Sequence, residues 1–444
     1  MKILLIQPKM NKRPMDTDLK IRMSPSLALL TLMNLTPDEH EASMINENAE
    51  TINYDCGADL VGITVTLDVL PRAIKIAEEF RERGVPVIAG GIHVTCSPKD
   101  CLPHFDAICI GPAERVWAKI ICDAQEGCLQ KEYCDIKNFC GDEIISPAYD
   151  RIDRRKYLYT NVILTSRGCP NRCSFCYNSC GNRLYIRRPI SDVIKDIKSL
   201  ETRHILFIDD NFIGDPKYTG ELLRELQNMN LIWSAAVTTK VLEYPDLLDL
   251  MAKTGCRSLF IGFESINTVS LINVNKDNKV ERYEALVEAI HRRGIMINAS
   301  MVFGLDGDDA DTFDRSLNWL IKMRIETLTS HILTPYPGTE LYQSMEAAGR
   351  IVDMDLGKYN TANVVFEPMG MTAEELYKGY RRMYRQFYSF KNIIRRYPEN
   401  KIQRKPYLLF NLLYRKFGRL TSAVTRIIPI GVLGKLAARI SYKI

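Results

Sequence analysis

Short apolar stretches alternate with helical patterns along most of this 444-residue chain, and this alternation restricts its fold more than any other feature. In the first third of the chain, strands are predicted at residues 3–6, 41–45, 59–65, 86–89 and 106–110, with helices at 26–35 and 70–83. The stretch 59–65 is typical of a strand that is covered on both faces. Strands and helices that alternate in this way predict a doubly wound, Rossmann-like parallel sheet.

A second series of strands and helices follows after a linker. Its strands are predicted at residues 161–165, 204–209, 232–237, 258–262, 297–303 and 327–333. Helices lie between them, for example 191–200 with Ser191 as N-cap, and 245–254 with a proline at its start. Six such repeats predict a partial (β/α)6 barrel. The expected domains are 1–140 (doubly wound sheet), 141–158 (linker), 159–345 (partial barrel), 346–400 (helical extension) and 401–444 (basic amphipathic tail).

Parallel α/β folds bind their ligands at the carboxyl ends of the strands. In the first sheet these ends and the loops after them carry Gln7, Thr64, Val65, Thr66, Gly90, Gly91, His93 and Gly111. Glycines at such positions let a large flat ligand approach the backbone closely. His93 is interpreted either as a ligand-facing residue or as a solvated loop histidine. In the second series the ends carry Asp209, Asp210, Glu264, Ser300, Val302 and Leu333.

The loop after the first strand of the second series contains Cys169, Cys173 and Cys176. Three thiolates at this spacing can hold one face of an iron–sulfur cluster. They are one ligand short of a closed site, so one iron would stay open to a substrate. The alternative is a zinc site completed by Cys180 or by a histidine, although the spacing matches no common zinc pattern.

This loop resembles the CxxxCxΦC signature of radical S-adenosylmethionine (SAM) enzymes, and residues 1–390 resemble the subgroup with an N-terminal cobalamin-binding domain. The resemblance implies that the three cysteines hold a [4Fe-4S] cluster whose open iron binds SAM. It places Asp209 and Asp210 at the SAM amino group, where the family's usual GGE is IDD here, and Glu264 at the ribose. It implies that Phe175, Val302 and Leu333 flank the adenine.

The resemblance also implies that the ends of the first sheet bind cobalamin. The DxHxxG motif, whose histidine ligates cobalt in other cobalamin proteins, is absent after the first strand. This absence indicates either a cobalt without a lower histidine ligand or a chain that binds no cobalamin.

The function that the resemblance implies is a cobalamin-dependent C-methyltransferase that attacks an unactivated carbon of a small, lipophilic substrate. It would need a one-electron donor such as flavodoxin or ferredoxin. A radical SAM cyclase or rearrangement enzyme without methyl transfer is the first alternative. A tRNA methylthiotransferase would need three N-terminal cysteines, the first near the first strand, and that loop has none. An iron–sulfur electron carrier or sensor would need neither an open iron nor a barrel.

The chain has thirteen cysteines, no secretory signal and no apolar window long enough to span a membrane. This combination predicts a cytoplasmic protein with reduced thiols. Cys122, Cys128, Cys134 and Cys140 recur every six residues, but on a helix that spacing would not bring them together. They are interpreted as incidental buried thiols.

The C-terminal region has two predicted parts. Residues 372–396 predict one helix with Thr372 as N-cap and an aromatic stripe that packs on the barrel, formed by Tyr377, Tyr380, Tyr384 and Phe387. From residue 400 onward there are ten Lys or Arg and no Asp or Glu, while the whole chain has a net charge of +5. This tail is interpreted either as amphipathic helices at the inner membrane face or as a basic cover over the barrel, and no nucleic acid is expected.

Overall fold

The computed structural model describes residues 1–13, 16, 18–180, 185–200, 202–414 and 428–442. The first sheet is wholly parallel, in the order β2-β1-β3-β4-β5-β6. Its strands are β1 (Lys2–Gln7), β2 (Glu41–Asn46), β3 (Leu60–Thr64), β4 (Val87–Gly90), β5 (Ala107–Cys109) and β6 (Glu132–Tyr133). The doubly wound sheet predicted from the sequence is confirmed.

Helices cover both faces of this sheet, which explains why its inner strands β1, β3, β4 and β5 are apolar runs without alternation. They are α1 (Asp18–Ile21), α2 (Leu27–Leu35), α3 (Leu70–Arg81), α4 (Ile92–Cys96), α5 (Pro98–Cys101) and α6 (Trp117–Gln125). One face of β1 and β3 packs against α3 through Ile6, Ile63 and Phe80. The opposite face joins the main core of the protein through Leu5 and Trp117. We call this sheet and its helices the N-terminal unit.

The second sheet consists of six parallel strands in the order β14-β13-β12-β11-β10-β7. They are β7 (Val162–Ile163), β10 (His204–Phe207), β11 (Ile232–Val237), β12 (Cys256–Glu264), β13 (Met296–Phe303) and β14 (Thr327–Ile332). A small antiparallel pair, β8 (Ser166–Arg167) and β9 (Ile186–Arg187), follows β7. All six strands predicted for the partial barrel are present, and we call this part the barrel unit.

The helices of the barrel unit connect consecutive strands. They are α7 (Ile190–Ser199), α8 (Pro216–Leu226), α9 (Pro245–Lys253), α10 (Thr268–Asn273), α11 (Tyr283–Arg292) and α12 (Thr312–Lys322), followed by α13 (Glu340–Ala347). The prediction of Ser191 as an N-cap is wrong, because α7 begins one residue earlier, after Pro189. The fixed backbone angle of a proline favours this entry into the first turn. Ser191 therefore lies inside that turn.

The predicted helix over residues 372–396 is two helices, α14 (Ala373–Phe387) and α15 (Phe390–Arg395). Thr372 is the N-cap of α14, as predicted, and forms a capping box with Glu375. The chain leaves the helix after Phe387, and Ser389 begins the next one because its hydroxyl accepts a hydrogen bond from Asn392 N. Of the aromatic stripe, Tyr380, Tyr384 and Phe387 are buried in the main core.

The tail forms α16 (Lys401–Tyr414) and α17 (Ile430–Tyr442) in its described parts; residues 415–427 and 443–444 of the predicted tail lie outside them. Asn411 is buried and donates a hydrogen bond to Glu326 O at the start of β14 (3.0 Å), while Tyr407 donates to Ile393 O (2.6 Å). Gly431 lies against the backbone at Arg154 in the connection between the two units. This part of the tail covers the protein, as one of the two interpretations predicted.

Two further observations bear on the sequence predictions. The thiols at positions 122, 128, 134 and 140 are exposed, so the interpretation as buried thiols is wrong. Cys122, for example, lies on α6 and contacts Glu126 on the outer surface of that helix instead of the core.

In the part of the chain that the structure describes, no helix combines the length and the apolarity that crossing a membrane requires.

Candidate functional site

The cysteine loop (residues 165–176) is fastened at its start by one buried carboxylate. Asp209, just after β10, accepts four hydrogen bonds on Oδ1, from the N–H and hydroxyl of Thr165 (3.0 and 2.7 Å) and of Ser166 (2.6 and 2.8 Å). Burial raises the pKa of Asp209 to about 6, although these four donors oppose the shift. The side chain predicted to contact SAM is therefore committed, through this oxygen, to holding the loop.

The middle of the loop is held by segments that follow other strands. Ser174 N donates to Val274 O (3.1 Å), and Leu341 N at the start of α13 donates to Ser174 O (3.1 Å). Asn275 Nδ2 donates to Arg172 O (2.7 Å). The loop is thus positioned by residues that follow β10, β12 and β14, and its conformation depends on the assembled barrel unit.

The charges of the loop's cysteines shift the pKa values of neighbouring cysteines in the same loop. Burial raises the pKa of all three thiols, that of Cys176 to about 12, and the charges of Cys169 and Cys173 add to the effect on Cys176. Buried thiolates need compensating positive charge, which a metal centre supplies. Among the described residues, no three His, Cys, Asp or Glu side chains form a ready-made site for one metal ion. The predicted ligand roles therefore stay predictions.

Glu264 forms a buried polar group with Lys276 and Ser300 beside these thiols. Lys276 Nζ donates to Glu264 Oε1 (3.0 Å), and Ser300 Oγ donates to Oε2 (3.1 Å). Burial acts to lower the pKa of Lys276, but the charges of Glu264 and Cys173 outweigh it and the pKa is raised. The ammonium in turn acts to lower the pKa of Cys173.

Glu264 also has a backbone conformation that is rare for a residue with a side chain. Its φ is +64°, and the register between β12 and β13 shifts at this point. Such conformations cost of the order of 1–3 kcal/mol and occur where the surrounding structure fixes a side chain for a purpose. Nothing in the sequence signals this strain, and Lys276 was missed as the partner of Glu264.

Asp210 has a different environment from its neighbour Asp209, which is buried. It lies on the wall of a cavity, where hydrogen bonds from Asn178 and from the backbone of Gly168 hold it. Burial raises its pKa, and its charge in turn raises the pKa of Cys169 and Cys176. The structure therefore separates the predicted pair of aspartates: Asp209 holds the loop, and Asp210 faces open space beside the thiols.

The cavity has a volume of about 560 Å³ and lies between the two units. From the N-terminal unit it is lined by Thr64, Gly90, Gly91 and Gly111 at the ends of β3, β4 and β5, and from the barrel unit by Arg167, Gly168 and Asp210. The strand order reverses between β1 and β3, and ligands of doubly wound sheets bind beside such a point. The rest of the wall is mainly apolar.

Gly91 keeps this wall open. Its φ is +112°, and a Cβ at this position would lie 2.8 Å from Val65 O. Gly111 N donates to Thr95 Oγ1 (3.0 Å), and Thr95 Oγ1 donates to Gly91 O (3.0 Å), which joins the two glycine loops. The predicted glycine edge is present and forms a shallow cradle.

Several predicted residues do not line this cavity. Val65 is fully buried, and Thr66 is exposed and donates to Asp68 (2.7 Å). Gln7 Oε1 is buried and has no hydrogen-bond partner among the described residues. Val302 and Leu333 belong to the main core, and Phe175 packs against it in a half-buried position.

His93 is buried in α4, so its interpretation as a solvated loop residue is wrong. Its Nδ1 lies 3.1 Å from the hydroxyl of Tyr177, which directly follows the cysteine loop's last cysteine, and its Nε2 lies 3.6 Å from Asp100. The helix α4 turns the imidazole into the contact between the two units instead of toward the cavity.

The contact between the units contains further residues that the sequence did not reveal. Tyr177 stacks on Tyr336 from the loop after β14, with ring centroids 4.5 Å apart. Arg167 and Glu114 form an ion pair of 2.6 Å across the cavity wall. Pairs between distant parts of a chain leave no pattern in a single sequence, and only the position of Tyr177 beside Cys176 was a hint.

Comparison with known proteins places this geometry in a family. Residues 163–320 match the family model described as the radical SAM superfamily, and residues 339–438 match a domain of unknown function, DUF4070. The chain is 30% identical to the bacteriochlorophyllide d C-8(2)-methyltransferase of Chlorobaculum tepidum, over 86% of this chain and 89% of that protein. The chain belongs to the radical SAM superfamily. This radical SAM protein is an enzyme, and the chemistry of its family uses an iron–sulfur cluster and SAM.

Two further similarities extend over nearly the whole radical SAM chain. It is 29% identical to the bacteriochlorophyllide d C-12(1)-methyltransferase of the same organism, over 89% of each chain. Its fold matches the radical SAM methyltransferase TsrM of Kitasatospora setae, solved with cobalamin and a [4Fe-4S] cluster, with a TM-score of 0.68, 16% identity and coverage of 98% of this chain and 99% of that one. The N-terminal unit therefore has the fold of a cobalamin-containing relative.

Proposed function

We propose that this protein is a cobalamin-dependent radical SAM C-methyltransferase. The observation that supports it most is the cavity between the units, which has the glycine cradle on one wall and Asp210 and the cysteine loop on the other. In this proposal residues 1–140 bind cobalamin and residues 159–345 bind the cluster and SAM. The curated relatives of similar length are methyltransferases, which favours methyl transfer over other radical reactions.

The residues of the loop fit a cluster held by three ligands. Cys169, Cys173 and Cys176 would bind three irons and leave the fourth open, and thiolates are the usual ligands of such clusters. When bound, the cluster supplies the low-potential electron that cleaves SAM into a carbon radical. Lys276 offsets the negative charge of the thiolates from behind the loop. Asp209 holds the loop at one end, so that it does not have to order itself when the cluster binds.

Two carboxylates are placed to hold SAM. Asp210 lines the cavity, and its carboxylate, which accepts hydrogen bonds from Asn178 and Gly168, can accept a further one from an ammonium group. Glu264 is held by Lys276 and Ser300, and each carboxylate oxygen can accept a further hydrogen bond from a ribose hydroxyl. Phe175, Val302 and Leu333 would supply the apolar surroundings of the adenine. The buried surroundings of the loop exclude water from the reacting atoms.

The cavity wall at the N-terminal unit fits a large flat cofactor. Gly90, Gly91 and Gly111 present backbone without side chains, and the remaining wall is apolar. When bound, cobalamin would supply the methyl group that the substrate receives. No histidine is found among the described residues that line the cavity, so the cobalt would have no imidazole ligand from this wall. Thr64, whose hydroxyl lies at the cradle, is placed to hydrogen-bond the corrin side chains.

The substrate in this proposal is a small, lipophilic molecule with an unactivated carbon. The apolar walls of the cavity favour such a molecule, and the relatives act on a bacteriochlorophyllide, which is flat and largely apolar. The electron would come from a protein such as flavodoxin or ferredoxin.

Methyl transfer can be tested with isotope-labelled SAM. The enzyme would be purified without oxygen, reconstituted with iron, sulfide and hydroxocobalamin, and offered bacteriochlorophyllide d with SAM labelled at its methyl group. Transfer of the label into the macrocycle together with 5′-deoxyadenosine supports the proposal. An unlabelled product that has lost hydrogen indicates a cyclase, and a reduced cluster that leaves SAM intact indicates an electron carrier or sensor. Cys173→Ala is the control and should abolish SAM cleavage.

We also propose that the tail contacts the inner membrane face from the cytoplasm. Leu408 and Leu412 on α16, and Val432 and Leu436 on α17, are between 38% and 53% exposed. Each pair is spaced by four residues and so shares one face of its helix. The segment from residue 400 onward contains no Asp or Glu, which suits anionic lipid headgroups.

Vesicle sedimentation tests this contact. Because Tyr407 and Asn411 dock α16 on the barrel unit, removal of the tail would uncover core surface, and substitution is the better experiment. The full chain should sediment with vesicles that contain phosphatidylglycerol, and Leu412→Ser combined with Leu436→Ser should sediment less. A matched change at the exposed Ile272 on α10 should leave sedimentation unchanged. Equal binding by both variants would contradict the membrane contact.

A further inference from the structure

Two cysteines outside the cluster loop's three ligands meet where the two units contact each other. Cys96 is the last residue of α4 in the N-terminal unit, and Cys180 follows a short turn (Tyr177–Ser179) behind the cysteine loop of the barrel unit. Both residues line the cavity and share the carbonyl of Tyr177, and contact with the Cys180 side chain is the main cause of the raised pKa of the Cys96 thiol. The zinc interpretation of the sequence placed Cys180 with the other cysteines of its loop, whereas the structure pairs it with the other unit.

The backbone on both sides of this pair is fixed. Cys180 N donates to Tyr177 O (2.9 Å), and the Cys96 thiol donates to the same carbonyl (3.7 Å). Gly338, in the loop after β14, packs so closely that a Cβ there would lie 2.5 Å from Cys96 O. A disulfide has an S–S bond of about 2.0 Å, so the two thiols would have to turn toward each other within this held contact.

We propose that Cys96 and Cys180 are a redox-active dithiol site, which closes into a disulfide bond between the two units by exchange with a low-molecular-weight disulfide such as glutathione disulfide. Cys96 is half-buried and Cys180 is buried, so Cys96 is the thiol that the small disulfide reaches. Cys96 sulfur attacks one sulfur of glutathione disulfide, the S–S bond of glutathione breaks, and one glutathione leaves with the proton. Cys180 sulfur then attacks the mixed disulfide at Cys96 and releases the second glutathione with the second proton. The two cysteines are oxidised, and glutathione disulfide is reduced.

The pair is a dithiol at rest. Its hydrogen bond and its burial hold the pKa of the Cys96 thiol far above the ordinary value. Because exchange proceeds through the thiolate, closure of this site is slow and requires prolonged exposure to the small disulfide. Brief contact with a weakly oxidising pool leaves the two thiols reduced.

The closed bond would join two walls of the cavity. It would tie the end of α4, which follows the glycine cradle, to the end of the cysteine loop. The units could then no longer separate at this edge, and a large cofactor could no longer enter between them. This consequence rests on the proposed function, whereas the disulfide itself does not.

The test uses the full chain with its cluster reconstituted, so that the loop's three other cysteines are occupied. The enzyme is incubated without oxygen with glutathione disulfide, alkylated, and digested with trypsin. Residues 84–99 should become linked to residues 173–183, and the intact mass should fall by two hydrogen atoms without loss of iron. Because residues 173–183 contain three cysteines, Cys180→Ser is needed to assign the linkage.

The link should be absent in Cys96→Ser and in Cys180→Ser, and present in Cys134→Ser, which removes an exposed thiol elsewhere. A link that persists in Cys180→Ser, or glutathione that stays attached to Cys96 without a second exchange, would overturn the proposal. Uptake of hydroxocobalamin by the linked enzyme is measured separately. If the linked enzyme takes it up as fast as the reduced enzyme, the effect on cofactor entry is wrong, while the peptide map still decides the dithiol site.

Discussion

At the scale of single residues, two adjacent aspartates have opposite tasks. Asp209 is buried and gives one oxygen to four donors of the cysteine loop, whereas Asp210 is exposed to the cavity beside the thiols. Both were predicted to contact the amino group of SAM, because the IDD stretch after a strand offers no way to distinguish its two carboxylates. In the structure Asp210 lines the cavity and Asp209 does not.

Asp209→Asn should therefore damage the loop. The substitution removes the negative charge that four donors share and introduces an amide N–H group among them. Weakening hydrogen bonds to a buried charge costs about 1–3 kcal/mol. We expect a lower melting temperature of the protein and less iron per chain after reconstitution, measured by thermal unfolding and by iron analysis.

Asp210→Asn is the matched control for this prediction. It changes the neighbouring carboxylate, which holds the loop through the N–H of Gly168 alone, whereas Asp209 accepts from two N–H groups and two hydroxyls. We expect an unchanged melting temperature and iron content but weaker SAM binding, measured by equilibrium dialysis. If the two variants behaved alike, the division of tasks between the aspartates would be wrong.

At the scale of elements, the glycine loop after β4 decides how close a ligand can come to the sheet. Gly91→Ala would strain the backbone at φ +112° and place a methyl group 2.8 Å from Val65 O. Strain of this kind costs about 1–3 kcal/mol, and the clash with Val65 would displace the glycine loop that forms the cradle. We expect loss of cobalamin binding, followed by the absorbance spectrum of the reconstituted protein.

Gly57→Ala separates the effect of backbone strain from the effect of the clash at the cradle. Gly57 also has a positive φ of +69°, but a Cβ there would meet no atom within 4 Å. This variant should lose some stability and bind cobalamin normally. Equal loss of cobalamin in both variants would show that the cradle does not touch the cofactor.

The elements themselves were largely predictable. The apolar run 60–64 is specified by burial on both sides, and the alternation in 327–332 by burial of every second side chain. Local chemistry specified the capping box at Thr372. The break at Ser389 was missed because an aromatic stripe continues across it without a change of period. The ion pair of Glu264 with Lys276, and the turn of His93 into the contact between units, depend on contacts between distant segments and could not be predicted from one sequence.

At the scale of the whole molecule, the function that we propose requires the two units to keep a fixed relation across the cavity. The ion pair of Arg167 with Glu114 is part of that relation, since Glu114 has only 5% of its side chain exposed. Arg167→Glu would leave two carboxylates facing each other at a largely desolvated position. Removing one partner of such a pair costs about 2 kcal/mol or more, chiefly because the remaining charge is left unpaired.

We expect Arg167→Glu to increase the rate of proteolysis in the connection between the units, residues 134–160, and to weaken cobalamin retention. Combining Arg167→Gln with Glu114→Gln removes both charges and should restore much of the resistance to the protease. Arg155→Glu is the control, because its ion pair with Asp153 is formed on the surface and such pairs contribute at most about 1 kcal/mol. If the charge reversal at Arg167 had no more effect than that at Arg155, the units would be held together by apolar packing alone, and the ion pair would have no part in keeping the cavity closed.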